Sequence, residues 1–308
     1  MWVYILRRLI WTPFLLLAVS MITFALGQYG PGDPVQVLMG QYQNPEVLER
    51  IRANRGLDKP VYQQYLIYVG NAVRGDFGES YKYRGRSVGE LIPKRMWVSA
   101  QLGIAATVIS LSIGIPLGVY TAVKQGTWID PMVVSTAVFF MSVPVFLTGP
   151  GLLLIFSLKL GWLPTHGWGG FFDTRIIMPA LVLGIPGVAI ITRLTRSSTL
   201  EVMVQDYVRT ARAKGLREFV VLNRHILRNA LIPLVTVVGM SLAGLIAGAF
   251  IVEFMFGIPG IGQLGIESFF ARDYPIIMAL TLIGAADLVL TNLLVDIGYV
   301  FIDPRIRY

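Results

Sequence analysis

The sequence predicts an all-α integral membrane protein of six transmembrane helices with both termini cytoplasmic. Three observations carry that prediction. Of the 308 residues, 55% are hydrophobic and only 14% charged, against about 25% charged in a soluble domain. The charges gather in blocks, and the apolar windows between them approach the roughly 20 residues a helix needs to cross the hydrocarbon. None of these windows alternates polar with apolar, so helices and not barrel strands satisfy the backbone there.

Six spans follow, at about 9–27, 98–123, 131–157, 177–197, 230–252 and 276–300. The first resembles a signal peptide, because Arg7 and Arg8 precede an apolar run that ends in Ala25-Leu26-Gly27. Its apolar run exceeds the roughly 7–15 residues of a signal core, and it reads as an anchor. Basic residues in the short loops set the orientation. Arg7 and Arg8, Lys124, the run from Arg193 to Arg228, and Arg305 with Arg307 all fall on one side, the cytoplasmic one. Lys159, Arg175, Glu267, Arg272 and Asp273 fall on the other. Pro116, Pro144, Pro186 and many glycines lie inside the spans, where they permit kinks and close packing.

Three regions result: the anchor 1–27, an external polar region 28–95, and a five-helix core 96–308. Within the external region, Pro45 with Glu46 and Glu49 marks a helix start and Gly56 a stop. Tyr62, Tyr65, Leu66 and Val69 repeat at helical spacing beyond it. The region is too small for a large core of its own and is expected to pack on the outer ends of the spans.

There is no cysteine, which excludes disulfides, thiolate nucleophiles and iron–sulfur clusters. The two histidines, His166 and His225, form no local metal motif. The net charge of +8 reflects cytoplasmic loops rather than nucleic-acid binding. His166 lies with Trp162 and Trp168 in an external loop where interfacial anchoring accounts for the tryptophans.

The most informative stretch is YVRTARAKGLREFVVLNRHILRNALIP, residues 207–233, within a cytoplasmic loop of about 198–229. Val204, Tyr207, Val208 and Ala211 share one helical face, and Gly215 is placed to end that helix in the left-handed conformation. Leu216, Phe219 and Val220 begin a second apolar stripe, with Arg217, Arg224 and Arg228 on another face. The expected form is helix, Gly turn, helix. Pattern alone leaves two uses open: a basic helix lying on anionic lipid, or an element that docks on a cytoplasmic partner.

The stretch resembles the cytoplasmic coupling loop of ATP-binding cassette importer permeases. Ala211 matches the second Ala of their Glu-Ala-Ala element, Gly215 the following Gly, and Leu227 the later Leu. Arg209 and Thr210 in place of Glu and Ala, and Arg228 in place of Pro, depart from the general pattern. RTARAKGL and LRNALIP are the form of the dipeptide, oligopeptide and nickel subfamily, and of its first, B-type, permease. GDFGES, LGWLPTHGWG, FGIPGIGQL through ARDYP, NLLVD and DPRIRY resemble the same subfamily in the same order along the chain.

The resemblance implies a type I importer permease fold in the bacterial cytoplasmic membrane. It implies a second homologous permease, two cytoplasmic ATPase subunits and an extracytoplasmic solute-binding protein as partners. Arg209, Ala211, Lys214, Gly215 and Leu216 become the expected ATPase contact. No G-x-x-x-x-G-K-[ST] phosphate loop is present, so ATP and Mg belong to the partner ATPases and no cofactor is expected on this chain. The implied solute is a short peptide; nickel chelates, glutathione and other small solutes are the alternatives.

Two acids are candidates for the pathway. Asp287 lies mid-span, where a carboxylate costs about 2.5–3.5 kcal/mol on insertion scales, so it is expected to face a cavity or a polar group on a neighbouring helix. Glu253 is placed at the outer end of span five, in reach of an entering ligand or a receptor. Asn292 and Asp296, four apart, read as structural. A secondary transporter is the rival class, and it is expected to show repeat symmetry or several intramembrane ionisable residues, neither of which this sequence has. An intramembrane metalloprotease lacks its His ligands here.

Overall fold

The computed structural model describes residues 2–29, 58–247 and 249–302. The first external helix expected from Pro45 to Gly56, and the basic residues Arg305 and Arg307, lie outside them. Among the described residues the fold is helical, and the only strand-like feature is an isolated antiparallel bridge between Glu79 and Ser87.

The anchor is α1 (Trp2–Tyr29). The spacing of Tyr62, Tyr65, Leu66 and Val69 becomes α2 (Val61–Val73). As expected, α2 leans on the outer half of α1: the Tyr65 and Ser20 hydroxyls are hydrogen-bonded at 2.9 Å, and Phe24 packs on the Tyr65 and Tyr68 rings. Burial of Tyr68 pushes its phenol up to about 12.

The second span is longer than its apolar window. α3 runs Val88–Val123 because Ser87 caps it, accepting from the Gly89 N–H, and Glu90 sits in the favourable first turn. It packs along most of its length on α6 (Ile177–Met203), which a 3₁₀ turn, Thr174–Ile176, introduces. Small residues set that approach. A Cβ on Gly118 would lie 2.5 Å from Thr195 Cβ, and one on Gly114 2.7 Å from Ile191, while Gly184 of α6 faces the Ala106 carbonyl.

One expected span is broken. The third divides into α4 (Ile129–Ser142) and α5 (Val145–Leu152), which continues as a π-helical stretch Leu153–Lys159. The two halves meet at 99°. Pro144 causes the break, since it lacks an N–H and holds Val143 extended.

The cytoplasmic loop supplies α7 (Asp206–Ala213) and α8 (218–230). The fifth span is shorter than expected: α9 is Ile232–Ala247, about 24 Å long at 1.5 Å per residue. Beyond it come α10 (Phe250–Phe256) and α11 (Ile261–Ala271), bent at 86° with left-handed Gly257 between them. The last helix, α12 (Tyr274–Ile302), packs against α1 and α9.

Candidate coupling site

The end of α6 is not continuous with α7. Val204 and Gln205 separate them, Gln205 being extended at the start of α7. Val204 therefore leaves the expected stripe and is exposed, whereas Val208 and Ala211 turn inward. These two pack with Val221 and Ile226 of α8 into a small separate core, edged by Val202, Met203 and Leu222. The loop is thus a folded two-helix unit with its own apolar interior.

Gly215 closes α7 as the sequence predicts, at φ +77°. The Gly215 N–H donates to the Arg212 carbonyl at 2.9 Å, and the Leu216 N–H to that of Ala211 at 3.4 Å. Those two bonds make a Schellman motif, in which a left-handed glycine satisfies the last carbonyls of the helix. Across the turn, Arg212 donates to both carboxylate oxygens of Glu218, at 2.7 and 3.2 Å. This bond holds the Glu218 carboxyl below its ordinary range and raises the Arg212 guanidinium. Asn229 donates to the Tyr207 hydroxyl and the His225 carbonyl, both at 3.0 Å, and ties the far end of α8 back to α7.

Of the five expected contact residues, Arg209, Lys214, Gly215 and Leu216 are exposed on the crest of this unit. Ala211 is buried beneath them and supports the crest from inside. Arg217, Arg224 and Arg228 are exposed as well. Sequence reasoning placed Phe219 on an apolar stripe with Val220, but the side chain is 77% exposed beside Leu216 at 40%. Large apolar side chains on a basic, water-facing loop are features of a protein interface. Phe219 is an exposed residue of this unit that the expected contact set did not include, and its signal was a lone aromatic among charges.

The loop has a second anchor at its root. Arg196, counted with the basic residues of this side, is committed to Asp130 at the start of α4, with both nitrogen–oxygen distances 2.6 Å. The Asp130 side chain is 9% exposed and that of Arg196 28%. The bidentate geometry fixes the angle between α4 and the cytoplasmic end of α6.

The two acids of the expected pathway fall in different surroundings. Asp287 is half-buried on α12, with no hydrogen bond to another described residue. Glu253 is not at an open mouth: it is fully buried in α10. Its carboxylate accepts from the Ser99 hydroxyl (2.7 Å) and from the N–H groups of Ala249 (3.1 Å), Gly262 (2.7 Å) and Gln263 (3.2 Å). Ser99 in turn accepts from the Ile261 N–H at 2.8 Å. Three otherwise orphaned N–H groups at the start of α11 are met this way, so Glu253 fastens the bent pair together. A cavity of about 400 Å³ does open between α3, α6 and α9, where the apolar Leu102, Ala106, Leu183 and Ala249 line it together with Ser99, Thr107, Ser110 and Ser241. Neither acid lines it. Among the described residues no group of three His, Asp or Glu is placed to hold a metal.

A bundle of membrane helices, with a cavity among the spans and a folded cytoplasmic two-helix unit carrying exposed basic and apolar side chains, fits the membrane subunit of a transporter. The chain belongs to the binding-protein-dependent transport system inner membrane components: residues 114–308 match that family and residues 1–86 its N-terminal region. It is 40% identical over 313 residues to the oligopeptide transport system permease protein AppB of Bacillus subtilis, covering 99% of each chain. It is 39% identical over 305 residues to the glutathione transport system permease protein GsiC of Escherichia coli K12, again over 99% of each. The fold matches the inward-facing MetNI methionine ABC transporter with TM-score 0.55 at 18% identity, over 70% of this chain and 97% of that one. The protein is an importer permease of the inner membrane, and ATP hydrolysis resides in a separate subunit.

Proposed function

We propose that this permease conducts short peptides, working beside a second homologous permease and driven by two cytoplasmic ATPase subunits that bind ATP and Mg. The crest of α7 and α8, formed by Arg209, Lys214, Gly215, Leu216 and Phe219, seats on the ATPases. The supporting observation is the separate core of this unit. A rigid knob transmits displacement, whereas a loose loop absorbs it. Arg196–Asp130 carries that displacement from the root of the knob into α4 and α6. Closure of the ATPases around ATP and delivery of solute from an external binding protein act as two ligands on one conformational equilibrium.

The cavity between α3, α6 and α9, part polar and part apolar, suits a peptide. The hydroxyls of Ser99, Thr107, Ser110 and Ser241 already donate within the chain, so the Thr107, Ser110 and Ser241 oxygens are left to accept from amide N–H groups without selecting a side-chain charge. Both relatives named above carry peptides or a peptide derivative by their names, which supports this class of solute. Asp287, on a different part of the bundle, is proposed to meet a polar group in the course of the transport cycle. The test is ATP-driven uptake in proteoliposomes holding the permeases, the ATPases and the binding protein. Labelled di- and tripeptides are expected to accumulate, with unlabelled glutathione as competitor. Uptake of a metal chelate with no peptide uptake would overturn the assignment.

A further inference from the structure

The junction of α1, α11 and α12 carries a site outside the transport machinery described above. Two apolar hollows of about 640 Å³ each flank Phe269 and Phe270 at the end of α11, and both reach Ile277 and Thr281 of α12. One is walled by Val19 to Gly27 of α1. The other lies against Phe250 and Phe254 of α10. The wall on α1 is about 12 Å long at 1.5 Å per residue. It begins at the helix end and covers most of one leaflet of a hydrocarbon core about 30 Å thick.

Arg272 stands at the mouth, bordering the first hollow together with Tyr274. It is the only non-glycine residue at positive φ (+55°) among the described residues, a conformation that an L residue of this shape seldom adopts. The acids nearest to it in sequence are turned elsewhere. Asp273 is buried, accepting from the Ser80 hydroxyl at 2.5 Å and the Lys82 N–H at 3.0 Å. Glu267 is held by Lys82 Nζ and the Tyr83 hydroxyl, each at 2.6 Å. Arg272 is left exposed and without an acidic partner among the described residues.

We infer that this junction binds one membrane glycerophospholipid, its phosphodiester on Arg272 and its two acyl chains in the hollows on either side of Phe269–Phe270. Charge complementarity selects the phosphate. The forked apolar floor selects a two-chain lipid over a helix, which has one stripe to bury. The left-handed backbone at Arg272 caps α11 and sets the residue at the edge of the first hollow.

The test uses the full chain, purified in mild detergent and supplied with phosphatidylglycerol. Native mass spectrometry is expected to find one lipid retained, with retention falling at least tenfold in Arg272→Gly. Glycine suits φ +55°, so this variant is expected to melt no lower than the parent, and loss of lipid then cannot come from unfolding. Arg272→Lys is expected to keep partial retention. A photo-crosslinker in place of Phe270 in native membranes is expected to capture phospholipid. Undiminished lipid in Arg272→Gly overturns the inference, as does a Phe270 crosslink that lands on residues 30–57, on a second permease or on another copy of this chain.

Discussion

Replacing Gly215 by alanine isolates the one backbone feature on which the proposed docking depends. At φ +77° an L residue pays about 1–2 kcal/mol that glycine does not. A Cβ built there meets nothing within 4 Å, so no clash inside the chain adds to that figure. The expected effect is therefore conformational alone: about 1–2 kcal/mol, or a factor of roughly 5–30 in the fraction of chains with a correctly closed Schellman turn. Gly215→Asn is expected to lose less, because asparagine enters the left-handed region more readily. The assay is ATP-driven uptake in proteoliposomes, read beside the affinity of the permease for its ATPase. Uptake is expected to fall in the order Gly, Asn, Ala. Unchanged uptake and affinity in Gly215→Ala would refute the reasoning. An asparagine variant as weak as alanine would shift the cause from backbone conformation to close approach of the partner.

Other perturbations test the supports of the site. A double-mutant cycle on Asp130→Asn and Arg196→Gln is expected to give a coupling of about 1.5–3 kcal/mol, since the pair is charge-assisted and mostly shielded; thermal denaturation in detergent reads it. Glu253→Ala strands the Ser99 hydroxyl and three backbone N–H groups, at about 1–3 kcal/mol for each buried group left unsatisfied. Glu253→Gln, which keeps an acceptor oxygen, is expected to lose less, and equal melting of both with the parent contradicts the fastening role. Gly118→Val drives a side chain into Thr195 and the Thr192 carbonyl, so α3 and α6 must part and the folded yield is expected to collapse. The Arg212–Glu218 tie has a pH signature. Because Arg212 lowers the Glu218 carboxyl, its contribution is complete above the ordinary carboxylate range and is lost as pH falls through the lowered value. A spin label near the turn is expected to become more mobile only in acid, and Glu218→Gln to be mobile at every pH.

The parts legible in the sequence were those set by local chemistry. Gly215 announced a left-handed cap, and Val208 with Ala211 announced an inward face, because both depend on residues within one or two turns. Ser87 and Glu90 carry an N-terminal signal that lengthens α3 beyond its apolar window; hydropathy alone begins the span ten residues late. Pro144 was visible, but a proline inside a span is compatible with a mild kink, and only the packing around it decides for a 99° break. The partners of Arg196 and Glu253 were illegible for a different reason. Asp130 lies 66 positions from Arg196 and Ser99 lies 154 from Glu253, and no periodicity links residues so far apart. Ala211 was read as a contact residue through resemblance; the structure sets it one layer deeper, and its small size matters for the core under the crest.

The central claim is that the crest of α7 and α8 seats on an ATPase, and cross-linking addresses it most directly. Because the chain has no cysteine, a single Lys214→Cys substitution gives a unique attachment point on the crest, and Thr165→Cys gives a control in the loop before α6. With the ATPases and binding protein present, a short bifunctional reagent is expected to join Lys214→Cys to an ATPase subunit, in a yield that changes on adding ATP, and to leave Thr165→Cys unjoined. Attachment of Lys214→Cys to lipid alone, with no ATPase adduct in any nucleotide state, would contradict the account.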